Sequence, residues 1–375
     1  MTRYDYSVIK LGAFLKNRLM GVLSALSILL LLAGTLAYAE KPWYPIEVDV
    51  WQPPFNGTRQ RVQKVYAPLV KAQKKWRISV FIPHLKDAYW LGVNYGLIEE
   101  ARRLGINLSI YAAGGYDQLD IQRRQIEEDL ARKPDGIIIG AISFDNLNDI
   151  VKKAHEQGIP VLDLINGISS PLISARSAVS FWDTGYQAGN YLRRIQEKSG
   201  NPMQVAWFPG PSGAGWVIDG DAGFQAAIQG SSVHILDTQY GDTGKATQGK
   251  LIEGSLDKFA GDLDVIVGTA VTAEAAVGIL RKRGLSGKIG ILSYYYGPGV
   301  HRGIRRGTIL AAPTDLTVIQ ARIAVDVMVR ILEKKQYFKH VAPRVMVVDH
   351  GNIKKWDSST TLAPRGFRPI FSTND

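Results

Sequence analysis

The 375-residue chain contains no cysteine. Disulfides, thiolate metal sites and cysteine nucleophiles are excluded together. A chain of this length needs no covalent staples, because it can bury a large core. Histidine is scarce: His84, His155, His234, His301, His340 and His350 are dispersed, with no HExxH and no pair at ligand spacing. A phosphate loop is missing as well. Its nearest match, Gly244-Lys245-Ala246, lacks the hydroxyl after lysine and the glycine five positions earlier. The run Gly210–Gly215 is a glycine-rich turn and not a phosphate site. No G-x-S-x-G elbow occurs, and no carboxylate pair is marked as catalytic. No cofactor or metal is expected, and an enzyme has no motif to support it.

What is present describes a globular protein. Hydrophobic residues make up 46% and charged residues 21%, which excludes a disordered chain. A mean hydropathy of −0.05 argues against a multi-span membrane protein. At roughly 150 residues per domain the length predicts two domains. The net charge of +11 leaves nucleic acid, an anionic membrane or an acidic ligand open.

The N-terminus narrows that choice. Residues 1–18 carry Arg3, Lys10, Lys16 and Arg18 against one acid, Asp5. Residues 19–39 carry no charge and end in Ala37-Tyr38-Ala39. A basic region, an apolar region and a small-residue site define a secretory signal peptide, with cleavage after Ala39. An uncleaved anchor is the competing reading. Either way the remainder is exported. It then holds 41 Lys+Arg against 33 Asp+Glu, an excess of +8. Export argues against nucleic acid as a partner and points to the periplasm.

Residues 40–75 read as an irregular strap of prolines and aromatics. From Trp76 a strand–helix alternation begins. Strands are expected at Arg77–Ile82, Ile106–Tyr111, Gly136–Ile142 and Ile159–Ile165, with a short fifth at Val179–Trp182. Helices are expected between them. A second run follows, with strands at Gln204–Phe208, Val233–Thr238, Val265–Gly268 and Lys288–Tyr294. A long helix at Leu316–Lys335 and a strand at Arg344–Val348 close the regular part. Such alternation means α/β architecture with parallel sheets, and two runs mean two Rossmann-like lobes. The first lobe is expected at 76–182 plus 316–338. The second is expected at 183–315 plus 339–356, with a tail at 357–375. Three crossings make a three-stranded hinge.

Ligands of these folds sit beyond the carboxyl ends of the strands. Aromatics recur there: Tyr89 and Trp90, Tyr116, Phe181 and Trp182, and Tyr294-Tyr295-Tyr296. Such a cluster is either packing between lobes or a cage for an alkylated cationic nitrogen. His84 lies beside this region as a turn residue that could contact a ligand. Asn166, Asp183 and Asp315 are the polar residues available for a sugar.

Several segments carry a family resemblance. They are Lys86–Leu91, Asn94–Gly96, Glu100–Arg103, Ala113–Tyr116, Trp182–Gln187, Pro209–Pro211, Gly223–Ile228, Gly268–Ala270, Arg302–Gly307 and Gly366–Pro369. Together, from about Trp76 to Ile370, the chain resembles type I periplasmic binding proteins that sense trimethylamine N-oxide (TMAO) for a hybrid histidine kinase. The resemblance implies an aromatic pocket at Tyr89, Trp90, Tyr116 and Trp182, with Asp87 beside them. It implies a tyrosine from the 294–296 run: Tyr295 is favoured over Tyr294, because sugar-binding relatives place a ligand-contacting aspartate there. The implied partners are TMAO or a related methylamine and the periplasmic sensor domain of the kinase. A sugar or small-molecule receptor for an ABC transporter is the alternative. Alanine at Trp90 is expected to abolish binding and leave the fold intact.

Overall fold

A computed structural model describes residues 45–55 and 60–373. The expected signal peptide, residues 1–39, lies outside these described residues. Residues 45–375 group as one compact unit, built on two main sheets.

The larger sheet has eight strands. Its parallel part comprises β3 (Arg77–Ile82), β4 (Asn107–Ala112), β5 (Gly136–Ile139), β6 (Val161–Leu164) and β7 (Ala175–Ser177). The sequence Gly-Ile-Ile-Ile of β5 is fully buried, as a strand covered on both faces must be. Around it run α1 (Ala88–Leu104), α2 (Leu119–Ala131) and α3 (Asn148–Glu156). Asp87 caps α1 by accepting from the Trp90 N–H at 3.1 Å. Gly105 ends it in the left-handed region at φ 75°, which favours glycine, with Arg102 and Arg103 in the last turn complementing the helix dipole.

The chain then crosses to the second lobe through α4 (Phe181–Ser199). There a four-stranded parallel sheet, ordered β11-β10-β8-β9, is formed by β8 (Met203–Gly210), β9 (Val233–Tyr240), β10 (Val265–Gly268) and β11 (Gly290–Ser293). Its helices are α5 (Gly215–Ile228), α6 (Lys245–Phe259), α7 (Ala270–Lys282) and α8 (Pro298–Arg306). After β12 (Ala311–Thr314) the chain crosses back at Asp315-Leu316 into α9 (Thr317–Leu332). Residues 317–329 of α9 are all buried. The helix is apolar around most of its circumference because it lies between α1 and the larger sheet.

Three sequence expectations are corrected. The strap is not irregular: β1 (Ile46–Trp51) and β2 (Arg61–Tyr66) form a hairpin that extends the larger sheet. Its prolines flank the strands and do not interrupt them, so the ladder keeps its donors. Residues 339–356 do not stay together. β13 (His340–Pro343) pairs with β7 and β1, and only β14 (Met346–Asp349) pairs with β12. The expected strand at Val179–Trp182 is absent. Ser180 instead caps α4, accepting from the Asp183 N–H at 3.1 Å.

Candidate functional site

The strand ends of both lobes converge on one cavity. From the first lobe come Asp87, Tyr89 and Trp90 after β3, Tyr116 after β4, and Asn166 after β6. Phe181 stands at the start of α4. From the second come Trp216 after β8, Thr243 after β9 and Tyr295 after β11. The walls close tightly and leave a void of about 10 Å³, roughly the room one water needs.

The walls are aromatic and cross-braced. Tyr89 meets Tyr295 across the lobes edge-on, with ring centres 5.1 Å apart. Trp216 meets Tyr116 at 5.9 Å, Phe181 at 5.8 Å and Tyr295 at 5.9 Å. Edge-on contacts at Tyr295 and tilted contacts of Trp216 with Tyr116 and Phe181 fix the rings. Polar contacts also cross between the lobes. His84 Nε2 meets the Thr243 hydroxyl at 3.0 Å, and Lys86 pairs with Asp242.

Of the seven residues expected at a ligand, the structure brings five together: Asp87, Tyr89, Trp90, Tyr116 and Tyr295. Trp182 and Tyr294 lie elsewhere. Because α4 begins at Phe181, Trp182 sits one step further round the helix and stacks on Tyr186 at 4.8 Å. Phe181 takes the cavity position. Tyr294 lies behind Trp216, with ring centres 6.1 Å apart, and donates its hydroxyl to the Pro209 carbonyl. It supports the wall and does not line it. His84 also stands behind, 5.5 Å from the Tyr116 ring. Burial holds His84 at a pKa of about 4, so it is neutral. The sequence placed Phe181 among the strand-end aromatics but not among the expected ligand residues, and gave no sign of Trp216 and Thr243 as lining residues.

The electrostatics are specific. The Asn166 amide donates to the Tyr116 oxygen at 3.0 Å and to the Ala141 carbonyl at 2.7 Å. The carbonyl fixes the orientation of the amide, so Tyr116 accepts and its own proton is free to be donated. The Trp216 indole N–H has no hydrogen-bond partner among the described residues. Burial pushes Asp87 up to about 6, against donors from Trp90, Thr243 and Tyr89. Asp315, in the hinge, accepts from the Tyr89 hydroxyl and is likewise pushed up to about 6 by burial. One of its carboxyl oxygens has no partner among the described residues. An aromatic chamber with a titratable carboxyl and one oriented hydroxyl donor can hold a compact, alkylated, dipolar or cationic nitrogen. No group of three or more potential metal ligands occurs among the described residues.

The raised pKa of Asp315 has a stability consequence. An unfolded aspartate ionises near 3.8, the folded one near 6. Between these values the folded state binds more protons, so its stability is greatest below the lower value and falls as pH rises through the upper. Asp315→Asn removes that loss. The variant is expected to match wild type near pH 4 and to exceed it by on the order of 2 kcal/mol near pH 8. Urea unfolding at the two pH values checks this; a difference that does not change with pH would reject it.

The family follows from the fold and from comparison. A periplasmic binding protein domain model matches residues 78–336. The chain belongs to the periplasmic binding proteins, a family that binds small molecules and resides in the periplasm. Within that family it is TorT-like. It is 36% identical over 302 residues to periplasmic protein TorT of Escherichia coli K12, covering 80% of this chain and 86% of that one. The crystal structure of the TorS sensor domain–TorT complex in the presence of TMAO matches with a TM-score of 0.72 and 31% identity, over 79% of this chain and 100% of that one. An ABC transporter solute-binding protein from Bradyrhizobium sp. BTAi1 with bound Bis-Tris matches with a TM-score of 0.77 and 49% identity, over 89% of this chain and 100% of that one.

Proposed function

We propose that the protein binds TMAO, or a close methylamine, in the aromatic chamber and presents the closed state to the periplasmic sensor domain of a hybrid histidine kinase. The chamber itself carries this reading. TMAO joins a methylated, formally positive nitrogen to a strong acceptor oxygen. Faces of Trp90, Trp216, Tyr89, Tyr295 and Phe181 suit the methyl groups by cation–π attraction. The oxygen accepts from Tyr116, whose lone pair is occupied by Asn166. The Asp87 carboxyl offsets the charge on the nitrogen. Contacts such as Tyr89–Tyr295 and Lys86–Asp242 join the two lobes across the chamber. A ligand that stabilises closure therefore also raises affinity for any partner that recognises the closed surface. The role is binding and not catalysis. Residues 1–39 act as the export signal, cleaved after Ala39.

A second reading has one observation behind it: the Bradyrhizobium relative is a transporter solute-binding protein. On that reading the same chamber delivers its ligand to an ABC transporter.

Calorimetry with TMAO and tetramethylammonium tests the site. Tetramethylammonium has the methylated nitrogen but no oxygen. Tyr116→Phe is expected to weaken TMAO binding roughly 10- to 150-fold, the loss of a charge-assisted hydrogen bond. Tetramethylammonium binding should stay within about twofold. Equal weakening of both would reject the donor role. No heat from wild type with TMAO, together with tight pentose or hexose binding, would favour a sugar transporter.

A further inference from the structure

A second cavity lies against the aromatic chamber and shares its wall of Asn166, Phe181 and Trp216. It is larger, about 220 Å³, and reaches the hinge, where Ala178, Val179 and Ser180 line it. Its other faces include Trp51, Trp182, Arg176, Asp219 and His340.

The polar groups of this cavity are unequal. Arg176 is already committed: its guanidinium holds Asp163 at 2.5 Å and the Ile168 carbonyl at 2.6 Å. Its charge is therefore balanced inside the first lobe. Asp219 is solvent-exposed at the rim of the cavity, and the Arg176 charge acts on its carboxylate. The His340 ring is 7% exposed and stacks on Trp51 at 4.1 Å. Its Nε2 faces the Ala178 carbonyl at 3.4 Å. A carbonyl only accepts, so Nε2 carries the hydrogen and Nδ1 is a bare acceptor. Nδ1 has no partner. Burial and the nearby Arg176 charge keep the ring neutral. The cavity thus presents a solvated carboxylate at its rim and a buried imidazole nitrogen that lacks a donor, beside aromatic surface. A buried acceptor left in this way is unfavourable until a donor reaches it.

We infer that the second cavity receives the hydroxylated arm of an amine ligand whose nitrogen sits in the aromatic chamber, with Asp219 and His340 Nδ1 accepting from the arm. This rests on the reading of the chamber as a site for an alkylated nitrogen, and it widens the ligand class to hydroxyalkyl ammonium compounds. Phe181 and Trp216 form the partition between nitrogen and arm, since both side chains face both cavities.

The test uses three probes that share one head: tetramethylammonium, choline and (3-hydroxypropyl)trimethylammonium. Only the arm differs. In wild type at least one armed probe is expected to bind about tenfold or more tightly than tetramethylammonium, roughly the gain from one new hydrogen bond to a charged group. Asp219→Ala removes the acceptor, so it should remove most of that advantage and leave tetramethylammonium binding unchanged. His340→Phe keeps the stacking on Trp51 and removes the acceptor, so it should act in the same direction. Armed probes that bind no better than tetramethylammonium would overturn the inference. So would an advantage that survives both substitutions. Absence of binding by all three probes and by TMAO would instead reject the chamber reading itself.

Discussion

Trp90→Ala is expected to lower folding stability by about 3–5 kcal/mol and to abolish the stabilisation that TMAO gives the wild-type protein. The expectation that this substitution spares the fold does not survive the structure. Trp90 is 1% exposed and among the largest fully buried side chains. Its ring lies on Gly140, where an added Cβ would come within 2.6 Å of the indole. It also meets Tyr89 at 5.8 Å and His84 at 6.4 Å. Alanine would leave a void bounded by β5, α1 and the β3–α1 turn, and these elements carry Asp87, Tyr89 and His84. For a protein whose net stability is about 5–15 kcal/mol, such a loss removes a large share. Loss of binding in this variant therefore reports packing and site together. Trp90→Phe separates them. It keeps an aromatic face and most of the volume, and should weaken TMAO binding by about tenfold at a smaller stability loss. Thermal unfolding with and without TMAO reads both effects. A ligand-induced rise in Tm that persists in Trp90→Ala would remove Trp90 from the site.

The structure shows why some residues were legible and others were not. β3 and β10 fall on the expected residues because buried parallel strands are short apolar runs bounded by turns. The hairpin β1–β2 was hidden by composition. Flanking prolines and tryptophans mask the alternation in Ile-Glu-Val-Asp-Val-Trp. The exchange of Trp182 for Phe181 came from one misread boundary. Ser180-Phe181-Trp182-Asp183 is a capping-box pattern of the S-x-x-D kind, which announces a helix start and not a strand end. Trp216 was reachable by the same strand-end rule that found Tyr89, Trp90 and Tyr116. Gly210–Gly215 reads as a turn, and nothing in that turn signals that the residue after it lines the cleft. Tyr294 and Tyr295 could not be separated by pattern alone. The turn after β11 sends one ring into the cavity and the other behind Trp216. The charge proved less informative: basic residues stand in the last turns of α1, α3, α4, α6, α7, α8 and α9, where helix dipoles favour them.

Gly223→Ala is expected to have the second largest effect, although the residue touches no ligand. Helices α4 and α5 meet backbone to backbone. A Cβ at Gly223 would lie 1.9 Å from the Trp182 carbonyl oxygen, and one at Gly185 would lie 1.9 Å from the Gly220 carbonyl oxygen. Neither contact can be relieved by a side-chain rotation, because the obstacle is main chain. The helices must move apart, and their first turns carry Phe181 and Trp216, the partition of the site. Overpacking of this kind destabilises by about 1–3 kcal/mol or more. For a domain of this size that lowers Tm by roughly 2–4 °C per kcal/mol. TMAO affinity should fall as well, because two cavity walls move together. Gly254→Ala in α6 is the matched control: an added Cβ there meets nothing within 4 Å. Alanine in an open helical position should raise stability by about 0.5–1 kcal/mol and leave binding unchanged. The two alanine substitutions thus have opposite expected signs in the same thermal melt. If Gly223→Ala unfolds no earlier than wild type, the close approach of α4 and α5 does not set the chamber wall.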